Sequence, residues 1–398
     1  MIGFQNALKI VFAEIKDFGI ESVPMMSALK RILRQDLMAD RDFPPYNRVT
    51  MDGIAFQYNR VEKGVKSFRI EGIAAAGAAQ MSLQNSENCL EVMTGSILPK
   101  NTDTVIRYED VLIENGMATL QVTNFQKGKN VHKKGSDREV GNLLVKAGKR
   151  ISAAEIGVAA TVGKAQLQVS RLPKISIIGT GDELVEVSEK PLAHQIRKSN
   201  SYSIQAALLS LGIASENHHL NDDLEEVKAK LNTLIADNEV LILSGGVSKG
   251  KFDYLPEALE ALGVEKLFHK VKQRPGKPFW FGKAQNGTLI FALPGNPVSS
   301  FMCTHRYVLP FLKMCLQQEE TPQPKAVLTQ NFTFKPDLTY FLQVKIGYNR
   351  NGQLLATPIE GNGSGDLANL ADADGLLQLP MGKEIFEEGE VFSLFLYR

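Results

Sequence analysis

Three short apolar runs, each ending in a cluster of glycine, serine and proline, constrain this chain more than any other feature. KISII (174–178) runs into GTGDEL, VLIL (240–243) into SGGVSKG, and TLIFA (288–292) into LPGNPVSS. A run of four or five mostly apolar residues that stops at small residues reads as a buried strand entering a tight turn. Helical patterns lie between the runs. SYSIQAALLSLG ends at Gly212, DLEEVKAKLNTLIAD is strongly periodic, and a further helix is expected over about 254–262 and another from Pro297. Strand–helix alternation of this kind predicts a doubly wound parallel α/β domain, with ligands at the carboxyl ends of its strands.

The three loops therefore carry the candidate chemistry. In the first, Gly181 permits a tight turn, and Asp182 and Glu183 place two carboxylates at the sheet edge. Adjacent carboxylates suit a hard cation such as magnesium shared with substrate phosphates. In the second, Ser244, Gly245 and Gly246 can turn backbone N–H groups toward an anion. Ser248 adds a hydroxyl, and Asp253 precedes a helix as a cap or metal ligand. In the third, Pro294, Gly295 and Asn296 form a turn, Pro297 fits the first helical position, and Ser299 lies in the first turn of that helix. Upstream, RPGKP (274–278) offers Arg274 and Lys277, preceded by Lys270 and Lys272. Each loop alone is also what a solvated turn or a capped helix looks like. Together they point to phosphate or oxyanion chemistry.

The rest of the chain frames this domain. Phe4, Leu8, Val11, Ile15 and Phe18 share one helical face, and a second helix is expected over about 26–38. DFPPYN (42–47) breaks the pattern. From about 45 to 140 come short strands and turns: IAFQYN, SFRIEGI, CLEVM, DTVIRYEDV and ATLQVTN. Residues 141–171 return to helical character, and the tail from about 319 alternates as a small sandwich or barrel. The 398 residues suffice for two to four domains.

Composition excludes several classes. Lys and Arg (45) nearly balance Asp and Glu (44), whereas a nucleic-acid binder carries a basic excess. No apolar run has the length of a membrane span, and the charged N-terminal stretch is not a secretory signal. Cys89, Cys303 and Cys315 have no metal spacing and are too few for a disulfide framework, which fits a cytoplasmic protein with reduced thiols. The six histidines include no HExxH, so zinc hydrolysis has no support.

Seven motifs occur in an order that resembles the molybdopterin molybdenumtransferases and, similarly, the C-terminal domain of gephyrin. They are TMDG (50–53), MTGSILPKNTDTVI (93–106), KKGSD (133–137), GTGDEL, SGGVSKGKFDY, RPGKP and LPGNPVSS. The resemblance continues to GNGSGDLANLADADG (361–375) and the last strands. It implies an α/β multidomain chain of four parts. These are a helical linker domain (1–44 with 141–171), a β-rich domain (45–140), the α/β molybdopterin-binding domain (172–318) and a C-terminal β-barrel (319–398). It implies a homodimer with a shared active site, and insertion of molybdate into adenylylated molybdopterin with Mg2+ present and AMP released. On that reading Asp182, Glu183, Asp222 and Asp253 hold magnesium or polarise the pyrophosphate. Lys270, Arg274, Lys277, Ser299 and Ser364 join the loops in holding oxyanions and substrate. Asp52, Thr94 and Asp137 reach in from the partner chain.

The sequence departs from the family pattern at Arg48, Val49 and Ile54 around the MDG, at Gln343 where an arginine is usual, and at Gly135-Ser136-Asp137, which has one carboxylate fewer. These departures leave the three α/β loops intact. Two other readings stay open at this point: a pterin-binding scaffold without turnover, and a nucleotide pyrophosphatase on the same α/β domain.

Overall fold

The computed structural model describes residues 1–221, 223–247, 254–359, 361 and 363–398. They divide into two compact units. One comprises Met1–Arg34, Gly148–Ser152 and Gln166–Arg398; the other comprises Gln35–Ala147 and Ala153–Ala165.

The first unit contains the α/β domain. Its sheet is formed by β1 (Ile175–Thr180), β2 (Ser215–Leu220), β3 (Val240–Ser244), β4 (Glu265–His269), β5 (Trp280–Lys283) and β6 (Leu289–Leu293), in the order β2-β1-β3-β6-β5-β4. β2, β1, β3 and β6 are parallel. Every residue of β1, β3 and β6 is buried, as expected where helices cover both faces. Period-2 alternation sends Ile177, Ile242 and Phe291 into one core, and Ile178, Leu241, Leu243 and Ile290 into the other. The helices are α1 (Asn200–Leu209), α2 (Leu224–Asp237), α3 (Leu255–Ala261) and α4 (Pro297–Cys303). Asp223 caps α2 by accepting the Glu226 N–H at 2.9 Å.

The antiparallel edge strands β4 and β5 are not foreseen in the sequence. EKLFH and WFGK are short and lie beside the cationic run 270–277, so their pairing with each other and with β6 carries no local signal.

After α4 the helix widens into a π turn (Thr304–Val308) and resumes as α5 (Leu309–Cys315). The π turn carries His305, whose ring lies 4.2 Å from that of Phe301 and 5.9 Å from that of Tyr397. Burial, with a smaller push from Lys313, lowers the His305 pKa to about 4. Between pH 6.5 and about 4 the unfolded chain therefore binds a proton that the native chain refuses, and stability is lost as pH falls through that window. The expected loss is about 3 kcal/mol. Urea unfolding at pH 7 and pH 4.5 measures it, and His305→Gln should flatten the dependence.

Five strands close a barrel at the C-terminal end of this unit: Lys325–Leu328, Thr339–Tyr348, Leu354–Pro358, Gly375–Leu379 and Val391–Leu396. Thr339–Tyr348 pairs on both sides and completes the closure, and Leu328, Leu342, Val344, Leu377 and Leu394 fill the interior. The strand Val271–Arg274 adds in parallel to it, with Gln273 opposite Thr339 and Arg274 opposite Tyr340.

The N-terminal helix spans Phe4–Ala13, shorter than the apolar spacing suggests, and buries Phe4, Ala7 and Val11. The expected helix over 26–38 does not form. Only a 3-10 turn, Met25–Ala28, appears there, because Lys30 takes φ +68° and gives its N–H to the Ile151 carbonyl. Ile20–Pro24 instead pairs antiparallel with Gln166–Ser170.

The second unit is built on a six-stranded sheet. Its order is Thr104–Arg107, Gly53–Phe56, Asn88–Val92, Ser67–Ala74, Met117–Leu120, Val111–Glu114. Each of the five expected segments contains a strand, but IAFQYN turns helical at Tyr58, DTVIRYEDV is interrupted by a 3-10 turn at Tyr108–Asp110, and the strand in ATLQVTN ends at Leu120. Ile54, Phe56, Phe68, Cys89 and Ile106 form its core, with the Phe56 and Phe68 rings stacked at 4.7 Å.

Candidate functional site

The carboxyl ends of β1, β3 and β6 converge on a cavity of about 730 Å³, closed on its other side by the barrel. Its walls come from the three small-residue loops, the Arg274–Pro278 turn, Ile196–Ser201 and the barrel residues Leu338, Tyr340, Phe341, Gln343, Ile359, Ser364 and Asn369.

The loops are shaped by backbone positions that refuse a side chain. Gly181 has φ +133°, and a Cβ there would lie 2.5 Å from Glu183 Oε2, so the carboxylate folds back over the glycine. Gly245 has φ +105°, and its Cβ would lie 2.7 Å from Thr180 Oγ1 and 2.9 Å from the Thr180 carbonyl. The first and second loops thus touch through bare backbone.

Side chains then lock the loops. Asn200, at the start of α1, donates from Nδ2 to Ser244 Oγ (2.9 Å) and to the Gly295 carbonyl (2.7 Å), joining the second loop to the third. Ser244 Oγ also lies 3.5 Å from Ser300 Oγ. Gln273 is fully buried behind the cationic turn. Its Nε2 donates to the Gly276 carbonyl at 3.0 Å, and its Oε1 accepts from the Tyr307 hydroxyl at 2.5 Å. From the barrel, the Ser364 carbonyl accepts the Val298 N–H (3.1 Å), and Ser364 Oγ accepts from Asn296 Nδ2 (2.7 Å). His269 anchors the second loop from behind, through a contact of 3.2 Å between Nε2 and the Val247 carbonyl. Burial lowers its pKa, which keeps the ring neutral there.

The cavity is positively charged. Among its described lining residues four are cations (Arg197, Lys198, Arg274 and Lys277) and one, Glu183, is an acid. Lys198 is paired with Glu186. Arg274 and Lys277 are exposed, and no ion pair to either forms among the described residues. The Thr180 hydroxyl is buried in the cavity wall without a partner among the described residues. Cations, small-residue loops and the unspent Thr180 hydroxyl together make a receptor for an anion.

The expected residues Gly181, Glu183, Ser244, Gly245, Gly246, Arg274, Lys277, Pro294, Gly295, Asn296, Pro297, Ser299 and Ser364 all line this cavity. Lys270 does not. It sits at φ +70°, and its backbone is spent on hydrogen bonds to Phe279 and Ile2. Asp182 is exposed outside the lining set. Asp222, Ser248 and Asp253 lie outside the described residues.

Asp52, Thr94 and Asp137 belong to the second unit. There, Asp52 Oδ1 accepts from the Thr94 backbone N–H (2.6 Å) and hydroxyl (2.7 Å), which hold its carboxyl below the usual range. Asp137 contacts His132 Nε2 at 2.8 Å, and His132 Nδ1 in turn lies 3.2 Å from Arg48.

Sequence reasoning missed Asn200, Gln273, Thr180 and Asn369. Asn200 reads as an ordinary helix-start residue in KSNSYS, while Thr180, Gln273 and Asn369 lie inside or beside quoted motifs in which their glycine, charged and serine neighbours carry the stronger signal.

Three family models match consecutive parts of the chain: the MoeA N-terminal region (domain I and II) at 2–163, a probable molybdopterin binding domain at 176–314 and the MoeA C-terminal region (domain IV) at 325–397. A Synechocystis protein named molybdopterin molybdenumtransferase is 40% identical over 400 residues, covering 100% of both chains. The chain belongs to the molybdopterin molybdenumtransferase family. A Bacillus subtilis protein of the same name is 31% identical, over 95% of this chain and 90% of its own length. A solved molybdopterin biosynthesis MoeA protein from Pyrococcus horikosii is 29% identical with a TM-score of 0.83, over 100% of this chain and 99% of that one. The family takes its name from a transferase reaction, and the cationic cavity lies within the region matched by its probable molybdopterin binding domain together with the MoeA C-terminal region. No helix among the described residues is long and apolar enough to cross a membrane.

Proposed function

We propose that this protein is the transferase that inserts molybdenum into adenylylated molybdopterin, with molybdate as second substrate, Mg2+ as cofactor and AMP as released product. The observation that carries the reading is the cavity at the carboxyl edge of the parallel sheet, where the described lining residues include four cations and one carboxylate. Molybdate and a phosphoanhydride are both oxyanions, and both need fixed positive charge and N–H or O–H donors that do not reorganise during reaction. Arg274 and Lys277 would neutralise the oxyanions, and Ser244, Ser299 and the two glycine-containing turns would orient them.

The described residues fit magnesium in one respect. Glu183 is an exposed carboxylate on a cavity suited to phosphate, and Mg2+ is commonly held by one or two carboxylates plus substrate oxygens. Glu183, with its neighbour Asp182, would hold it, and the expected Asp222 and Asp253 would complete the set. When bound, the ion neutralises charge on the anhydride. Among the described residues no group of three His, Cys, Asp or Glu could hold a metal, so substrate oxygens would fill the shell.

The protein would act as a homodimer, with Asp52, Thr94 and Asp137 serving the partner's cavity. The family resemblance supports this, together with the fact that the cavity walls come from the first unit alone.

The test is activation of a cofactor-free molybdoenzyme by the reaction product. Activation is expected with Mg2+, lost after chelation and restored by adding Mg2+ back. Absence of activation under all three conditions contradicts the proposal, and full activity after chelation removes magnesium from it.

A further inference from the structure

The barrel side of the cavity has a different chemistry from the sheet side. Leu338, Tyr340, Phe341 and Ile359 make it largely apolar and aromatic, and its polar side chains among the described residues are two neutral amides, Gln343 and Asn369, with the Ser364 and Tyr340 hydroxyls. Gln343 Oε1 accepts from Asn369 Nδ2 at 2.9 Å. Asn369 is 7% exposed and lines the cavity. A Cβ on Gly361 would lie 2.6 Å from the Asn369 Nδ2, so the glycine leaves the room that this amide occupies. That single hydrogen bond uses one oxygen and one N–H. The Gln343 Nε2 protons and the Asn369 Oδ1 acceptor meet no partner among the described residues. A donor and an acceptor thus stand side by side, joined by that hydrogen bond, in a largely apolar wall.

We infer that Gln343 and Asn369 form a recognition edge for a flat nitrogen heterocycle that presents an acceptor beside a donor. The inference rests on the oxyanion reading of the opposite wall and adds the ring end of the ligand. The geometry supports a ligand that spans both walls. Arg274 stands opposite Tyr340 in the ladder, and Gln343, three residues on, lies on the other face of that strand, but both line the same cavity of about 730 Å³, which is large enough for a nucleotide. An oxyanion at Arg274 and a ring edge at Gln343 would then belong to one nucleotide-sized molecule. Phe341 shares the strand face with Gln343 and supplies apolar surface beside it. Adenine and pterin rings both have the required edge, and the experiment separates them.

The full-length protein is titrated with AMP, with ribose 5-phosphate, which keeps the phosphate and sugar and lacks the ring, and with a free pterin. Gln343→Met keeps the size and removes the hydrogen bonds. Asn369→Ala removes the acceptor and serves as the second variant, with thermal unfolding as the control for folding. A loss of about tenfold in AMP affinity, with ribose 5-phosphate unchanged, supports the edge and assigns it to adenine. A tenfold loss for pterin, with AMP unchanged, supports it and assigns it to pterin. Equal loss for AMP and ribose 5-phosphate, or no loss for any ring-bearing ligand in either folded variant, overturns the inference. Failure of molybdenum insertion with ring discrimination intact would contradict the proposed reaction alone.

Discussion

Replacing Arg274 with alanine is expected to weaken molybdate binding by roughly 10- to 100-fold, with a matching fall in turnover. Arg274 is exposed on the cavity, and its backbone is fixed by a ladder to the barrel strand and by the Gly276–Gln273–Tyr307 hydrogen bonds behind it. Its guanidinium lies 5.8 Å from the Phe334 ring and in the field of Tyr340. Among the described residues no carboxylate pairs with it, unlike Lys198, which Glu186 engages. The charge is therefore free to meet a ligand. Arg274→Lys should fall between the wild type and alanine, because an ammonium keeps the charge and loses the two-pronged geometry. Since the site is exposed, the difference should shrink as ionic strength rises. Titration of molybdate at two salt concentrations measures both effects. Unchanged affinity in the alanine variant would remove Arg274 from the oxyanion site.

Gly245→Val should be the most damaging single change to the loops, with an expected cost of about 2–4 kcal/mol. Valine would have to adopt φ +105°, where a β-branched side chain is excluded, and its Cβ would press on the Thr180 hydroxyl and carbonyl. Neither obstacle is the free end of a flexible side chain. The loop would have to move, which would break the Asn200 clamp on Ser244 and Gly295. Urea unfolding gives the stability change, and AMP titration reports on the cavity. A variant with wild-type stability and affinity would mean that the loop does not need this conformation.

The part of the site most legible in the sequence is the part made by short segments. GTGDEL, SGGV and LPGNP reveal themselves because a strand that ends in residues able to turn sharply leaves a local signature, and the structure brings all three to one cavity. The parallel sheet follows from apolar runs alternating with period-3.6 helices, whereas the period-2 alternation of the tail gives its strands and leaves a sandwich or a barrel open. Residues whose work depends on distant partners leave no such mark. Asn200 touches residues 44 and 95 positions away, Gln273 is satisfied by Tyr307, and Gln343 meets Asn369 across a loop. Lys270 shows the converse error. In sequence it continues the cationic run before RPGKP, yet a left-handed backbone between β4 and the barrel-bound strand takes it out of the lining. The failed helix over 26–38 has a similar cause, since a tertiary hydrogen bond from Lys30 to Ile151 overrides apolar spacing that suits a helix.

The most direct measurement is AMP release from adenylylated molybdopterin, with Mg2+ present, with and without molybdate. The account predicts release that depends on molybdate and is slowed by Arg274→Ala. Tight binding of the adenylylated pterin with no AMP released under either condition would contradict it and leave the protein a holder of the ligand.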